Sequence, residues 1–374
     1  MTNPMIADGR MIKSIVAAEC VIPLARPVKF KGRTINARSV VVLKIETFNG
    51  LIGEAFSAPR GTPLLETIKF LGRDYVGGDS RMIAALGTAA GQKRVNGRPV
   101  LTLAISLFDI ALWGIAAKAA QLPLFQLLGG LRDKVPMMAV AGYYLNERTI
   151  DDVRDEVARY IDQGYSQVKI NLSGEDPLFD RRYVHACMKV AEGKLSADAH
   201  WSWASMGEAL ATCDLIDDAG LRFIEDPFGV HVVDLTCHLQ SRLRTSIAYG
   251  EDLSSVPVMG MILDRIRVLR LDPTACGGVT GAMQALALAR AAGTVVMPHV
   301  RTALNGQIAG TSAVMEAVET IADKAASWEH HLMKRQSNIV NGVLVLDQEP
   351  GNGIEIDWDA VERFSPSFVR MDFE

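Results

Sequence analysis

From about residue 133 onward, short apolar segments alternate with stretches whose apolar residues recur at helical spacing. The segments are "VPMMAVAGYY", "SQVKINL", "LSADAH", "RFIEDP", "SIAYGED", "VLRLDP", "TVVMPH" and "ASWEHHL". Eight strand candidates separated by helical patterns predict parallel βαβ units. Eight such units predict a TIM-type barrel, with an open doubly wound sheet as the alternative. Polar residues close so many of these segments that the barrel is favoured, because barrel sites are built at the C-terminal strand ends. The first part of the chain reads differently. "MIKSIVAAECVIPL" and "SVVVLKIETFNGLIGEAF" carry β-type patterns, with "FNG" as a hairpin turn and "ARPVKFKGRTINAR" as a polar loop between them. Helical patterns follow and end at Pro123 and Gly129–Gly130. This predicts an α+β domain of roughly 130 residues, an ordinary domain size. The tail "VNGVLVLDQEPGNGIEIDWDAVERF" is turn-rich and is expected to return to that first domain.

Composition narrows the class. A net charge of -4 over 374 residues, with no basic run, points away from a nucleic-acid surface. The apolar stretch "LFDIALWGIAAKAA" is interrupted by Asp109 and Lys118 and reads as a buried helix, not a membrane span. The start lacks a signal-peptide pattern. Five scattered cysteines form no metal-like or disulfide-like spacing, which suits reduced thiols in the cytoplasm.

The chemistry lies at the predicted strand ends. Asp198, Glu225 and Glu251 close the third, fourth and fifth segments, 27 and 26 residues apart. Three converging carboxylates repel one another unless a cation sits among them, and hard oxygen donors select Mg²⁺ or Mn²⁺. Asp272 and His299 close the sixth and seventh segments, as a base and the carboxylate that orients it. His200 lies two residues after Asp198, so in a strand both share a face.

"GYSQVKIN", "SADAH", "FIEDP", "YGED", "LDPTACGGVTG" and "MPH", with 21 residues from Gly278 to His299, together resemble the enolase superfamily, in particular its mandelate racemase subgroup. The resemblance spans nearly the whole chain. It implies a modified (β/α)7β TIM barrel with an N-terminal α+β capping domain completed by the C-terminal tail: residues 1–132, 133–345 and 346–374. It implies Asp198, Glu225 and Glu251 as Mg²⁺ ligands and Asp272–His299 as a catalytic dyad. In this family a Lys or His base works with Mg²⁺, which stabilises the enolate. The departure lies at Lys169-Ile170-Asn171, where the racemase pattern is Lys-x-Lys. Asn171 cannot accept a proton, and Lys169 aligns with the lysine that assists the substrate carboxylate. Relatives resembling galactonate dehydratase also place a histidine two residues after the first metal ligand, which implies His200 as the acid for a leaving hydroxyl. The implied activity is dehydration of an acid sugar (an aldonate or related) to a 2-keto-3-deoxy acid. The alternatives are a racemase or epimerase using His200 or Lys169 on the opposite face, and a non-catalytic barrel.

Around this centre, Asp226 and Asp252 are expected to point away by strand alternation. Glu329, His330 and His331 are expected to end the eighth strand, with Glu329 near the substrate. Tyr143 or Tyr144 should face inward, and Trp201 and Trp203 read first as packing. Asn171, Glu329, Arg60 and Lys29 are the substrate-binding candidates, the last two from loops of the first domain. The expected partner is a small-molecule carboxylate, with no nucleic acid and no membrane. The family implies a homo-oligomer, a dimer or an octamer.

Overall fold

The computed structural model describes residues 9–31, 33–93 and 98–374. The N-terminal region builds an antiparallel sheet from β1 (Ile12–Phe30), β2 (Arg33–Thr47) and β3 (Ile52–Ser57). The "FNG" turn joins β2 to β3, where Gly50 takes the left-handed conformation and its N–H donates to Thr47 O at 2.9 Å. The polar segment 25–38 is not a loop. Apart from Lys31 and Gly32, which lies outside the described residues, it prolongs β1 and β2 into a long hairpin. Val28 pairs with Ile35 and Phe30 with Arg33, beyond a register shift that follows Pro23. Backbone pairing thus overrides a polar composition that read as coil. The helix Arg98–Ala119 has the length and hydropathy of a membrane span, but Leu107, Phe108, Ala111 and Leu112 are buried in the core.

Eight parallel strands follow: β4 (Lys134–Ala141), β5 (Gln167–Asn171), β6 (Leu195–Asp198), β7 (Phe223–Glu225), β8 (Ser246–Tyr249), β9 (Val268–Leu271), β10 (Val295–Pro298) and β11 (Val318–Thr320). Neighbours pair in sequence order from β4 to β10, and β11 pairs in parallel with β4 to close the ring. A Val296–Met315 bridge joins the seventh strand to the segment leading into the eighth. The eighth strand is "VET", not "ASWEHHL". Glu329–Leu332 forms a short helix beyond it. The tail divides. β12 (Asn338–Val340) and β13 (Val343–Val345) make a hairpin on β4, and only β14 (Ser367–Asp372) joins the N-terminal sheet, beside β1.

The motif "CGGVTG" docks the two parts. Gly277 and Gly278 are both left-handed, and a Cβ on Gly278 would lie 2.3 Å from Asp109 Oδ1. Two glycines let the N-terminus of the helix Gly278–Ala292 meet the helix Arg98–Ala119 closely. Ser106 Oγ accepts from Gly277 N at 2.9 Å, and Asp109 accepts from Thr280 N at 3.0 Å and from its hydroxyl at 2.5 Å. Trp113 Nε1 donates to the same hydroxyl at 2.9 Å. Asp109 thereby acts as the cap that this barrel helix lacks in its own sequence. Burial raises its carboxyl to about 6, against the hydrogen bonds from Thr280.

Candidate active site

The barrel interior is layered. Met138, Phe223, Val268, Met297 and Ala317 plug the lower part. Above them sit four charged side chains from the four even-numbered barrel strands: Lys169, Glu225, Arg270 and Glu319. A layer of four from alternate strands is ordinary barrel geometry, but such layers are usually aliphatic. Here they form a closed ring of ion pairs. Lys169 Nζ lies 2.8 Å from Glu225 Oε2 and 2.5 Å from Glu319 Oε1. Arg270 lies 2.9 Å from Glu225 Oε1 and 2.5 Å from Glu319 Oε2. All four are at most 3% exposed, so the charges stand in a poorly screened environment. Burial works against the Lys169 ammonium, yet Glu225, Glu319 and Asp198 outweigh it and hold its pKa well above the ordinary lysine value. Lys169 is therefore a fixed cation and not a proton acceptor near neutral pH.

Sequence reasoning missed Arg270 and Glu319. Arg270 had a signal: a charge inside the apolar "VLRL", two residues before Asp272, in a strand that must be buried on both faces. Glu319 sits in a three-residue strand too short to show a pattern. Only the charged layer on the other even strands pointed to it.

Above the ring opens a cavity of about 450 Å³, lined among others by Lys169, Asn171, Asp198, His200, Glu225, Glu251, His299, Glu319 and Glu329. Its acidic side is crowded. Among the described residues, carboxylate oxygens of Glu225, Asp226 and Glu251 lie within 4.8 Å of one another. Asp198 is the cross-strand partner of Glu225, and its own carboxylate lies 3.0 Å from Lys169. Asp226 does not turn away as alternation predicts, because β7 stops at Glu225 and Asp226 takes the left-handed conformation, φ 44°. Burial, then Glu225 and Asp198, push the Asp226 carboxyl well up. Burial, then Asp226 and Glu225, do the same to Glu251. Glu251 Oε2 is buried without a hydrogen-bond partner. An all-oxygen cluster with more carboxylates than Lys169 and Arg270 can neutralise, and with an orphaned buried oxygen, fits a hard divalent cation.

The two histidines follow β6 and β10, the third and seventh barrel strands, and so stand on opposite sides of the mouth. His299 Nδ1 lies 3.1 Å from Asp272 Oδ2, as the sequence predicts, and its Nε2 lies 3.5 Å from Glu251. Asp272 also accepts from Thr274 N and Oγ1, at 2.8 and 2.7 Å, and from Arg60 at 2.6 Å. Burial opposes the Asp272 charge, but the hydrogen bond from His299 and the charges of Arg301 and Arg60 hold its carboxyl far below the usual range. Burial lowers His299 to about 4 despite Asp272, leaving a neutral ring with an orienting carboxylate.

His200 reaches Asp198 through a turn, not along the strand. β6 ends at Asp198, and His200 is left-handed at φ 48°. Its N–H donates to Asp198 Oδ1 at 2.9 Å, and its Nε2 lies 2.8 Å from Asn171 Oδ1. Phe30 of the long hairpin covers its ring, with centroids 4.1 Å apart. Burial, then Lys169, lower it to about 3. Trp201, Val300 and Arg301 also have positive φ just beyond barrel strands, and such strain gathers where surrounding structure over-determines the backbone.

The remaining candidates sort as follows. Arg60 reaches the site but is engaged by Asp272 and Asp252, so it braces the dyad from the N-terminal region. Asp252, expected to point away, lines the cavity through this pair. Lys29 is exposed on the hairpin and is not among the lining residues, because Phe30 takes the inward position. Glu329 lines the cavity from its short helix, while His330 and His331 stack on each other at 4.0 Å. Tyr143 faces the cavity, and Tyr144 turns out beneath Arg26. Trp201 lines the mouth, and Trp203 is core.

Comparison with known proteins agrees with this architecture. Residues 12–129 match the mandelate racemase / muconate lactonizing enzyme N-terminal domain, and residues 152–360 match the enolase C-terminal domain-like family. Arabinonate dehydratase of Saccharolobus solfataricus is 26% identical over 345 residues, covering 87% of this chain and 90% of that protein. The o-succinylbenzoate synthase of Bacillus subtilis is 24% identical over 372 residues, covering 94% and 96%. The crystal structure of L-talarate dehydratase from Polaromonas sp. JS666, complexed with Mg and L-glucarate, superposes with a TM-score of 0.84 at 25% identity, over 97% of this chain and 100% of that one. These names denote different reactions, so similarity alone does not select a substrate. With both of its parts matched in order along the chain, the protein belongs to the enolase superfamily, in its mandelate racemase subgroup.

Proposed function

We propose that this protein is a Mg²⁺-dependent hydro-lyase that dehydrates an acid sugar to a 2-keto-3-deoxy acid. The observation that carries this reading is the pair of neutral histidines on opposite sides of one cavity, with an acidic cluster between them and Asn171 where a second lysine base would stand. Asp198, Glu225 and Glu251 line the cavity and would hold the Mg²⁺, with Asp226 behind them. The ion supplies positive charge beside the substrate carboxylate when bound. His299 takes the C2 proton at Nε2, and Asp272 meets the charge that forms on the ring. Lys169 holds positive charge beside the acidic cluster, and Glu329 and Asn171 contact substrate. His200 serves the C3 hydroxyl. Because its ring is neutral at rest, it begins as a hydrogen-bonding partner, and the proton that departs with the hydroxyl as water must first reach it. The enol that remains becomes the 2-keto acid.

A racemase or epimerase is the second reading, favoured by the same opposed histidines. It has to use His200 as the second base, since Lys169 is locked among carboxylates. Incubation of an acid-sugar panel with Mg²⁺ in D₂O decides. Formation of a keto acid that reacts with semicarbazide is expected, and α-deuteration of recovered substrate with no keto acid would overturn dehydration. The reading also includes a cytoplasmic homo-oligomer, consistent with five free, buried cysteines and checked by light scattering of the purified protein.

A further inference from the structure

Two arginines of the N-terminal hairpin have no role in the chemistry above. Arg33 and Arg38 both come from β2, and both line the cavity. They lie five residues apart, which in a regular strand would put them on opposite faces. The register shift between the Pro23–Ala37 and Val28–Ile35 pairs falls between them and breaks that alternation. They stand close enough that the charge of Arg38 depresses the Arg33 pKa, after burial. Every other cation on the cavity wall is engaged. Lys169 is in the ion ring, Arg60 is bound to Asp272 and Asp252, and Arg301 lies 4.0 Å from Asp272. Among the described residues, Arg33 and Arg38 have no carboxylate partner. Arg33 is held instead over Trp201, 5.4 Å from the ring centroid, and over Phe30, at 5.7 Å. Stacking of this kind fixes the plane of a guanidinium while leaving its N–H edge free.

The cavity is therefore bipolar. Its barrel side carries the acidic cluster suited to a cation and, through it, to one substrate carboxylate. Its hairpin side carries two adjacent guanidiniums with no counter-charge. A guanidinium pair at the far end of a cavity matches a second anion on the same molecule, in the bidentate geometry that carboxylates accept. We propose that Arg33 and Arg38 bind the distal carboxylate of a dicarboxylic sugar acid, so that the substrate class is the aldarates and not the aldonates. The inference rests on the dehydratase reading and narrows it. A phosphorylated sugar acid presents a distal anion too, but a carboxylate is what a flat fork of N–H donors pairs with face to face.

The test measures keto-acid formation by the full-length protein with Mg²⁺ on three matched sets: hexarates, the corresponding hexonates and hexonate 6-phosphates. The best diacid is expected to exceed its monoacid in kcat/KM by roughly 100-fold, because a site built to pair a polar group rejects the analogue lacking it. In Arg33→Met and in Arg38→Met that ratio is expected to fall at least ~10-fold, through KM more than kcat. Arg38→Lys keeps the charge without the fork and is expected to recover part of it. Both positions lie on a hairpin outside the barrel core, and circular dichroism checks that the variants fold. Equal use of monoacids, preference for the 6-phosphates, or an unmoved ratio in both Met variants would each overturn the assignment while leaving dehydration intact. Turnover of none of the three sets would overturn the dehydratase reading, and this inference with it.

Discussion

The two histidines face one cavity, yet what stands behind them differs. Behind His299 is Asp272, itself held by Thr274 and by Arg60 from the N-terminal region. A proton arriving on Nε2 meets an oriented carboxylate. Behind His200 is the neutral amide of Asn171, with Asp198 already committed to Lys169 and Phe30 covering the ring. A charge on His200 finds little to stabilise it. Burial depresses both rings, to about 4 for His299 and about 3 for His200, and the residue behind each sets its role. The lesson is that opposed placement does not make two histidines equivalent. One is built to take a proton, the other to hold a hydroxyl.

The strongest way to break this contrast is His299→Asn. Turnover is expected to fall ~10³–10⁴-fold, the span of a positioned general base, with Mg²⁺ affinity by calorimetry changed far less. Persistent α-proton exchange in that variant would move the base elsewhere. Next comes the floor on which both histidines depend. Arg270→Met leaves Glu225 and Glu319 buried with half their counter-charge, and is expected to lower unfolding free energy by about 3–5 kcal/mol in urea titrations. His200→Asn sharpens the contrast directly. Dehydration is expected to fall ~10²-fold while α-proton exchange in D₂O continues, and full dehydration by the variant would end its role at the hydroxyl. The metal assignment is tested beside it. Asp198→Asn is expected to weaken Mg²⁺ binding ~10- to 100-fold, and more than Asp226→Asn does, the reverse order transferring the ligand role to Asp226. The smallest effect tests docking of the region that carries Arg60. The Asp109 carboxyl is raised to about 6 in the folded protein against 3.8 in the free chain. The folded state therefore binds that proton more tightly, and the stability linked to it is present below pH 4 and lost as pH rises through 6. Asp109→Asn is expected to remove about 1 kcal/mol of that slope, read from denaturation midpoints at pH 4 and pH 7.

Much of this was legible because a parallel barrel writes itself periodically. Each βα unit repeats an apolar strand with a polar end, so Asp198, Glu225, Glu251, Asp272 and His299 announced themselves by spacing alone. The reading failed where that period broke. β11 is three residues long, and a longer apolar stretch beyond it, around Trp328, took its place. The hairpin 25–38 is held by cross-strand bonds that its polar, proline-containing sequence does not display, and so Lys29 was favoured over Phe30, Arg33 and Arg38. Asp226 and His200 follow strands that stop one residue earlier than alternation assumed, and their left-handed backbones re-aim both side chains.

The sequence by itself determined the barrel, the identity of the acidic residues and the His–Asp pair, because those depend on local periodicity and on residue type at strand ends. Only the tertiary structure decided that Lys169 is a locked cation, that Arg270 and Glu319 complete a ring beneath the cavity, and that Arg60 braces Asp272 from the other end of the chain. Those facts depend on which side chains from distant strands share one buried layer. In a medium that screens charge poorly, the neighbours of an ionisable group, and not its place in the sequence, set what it can do.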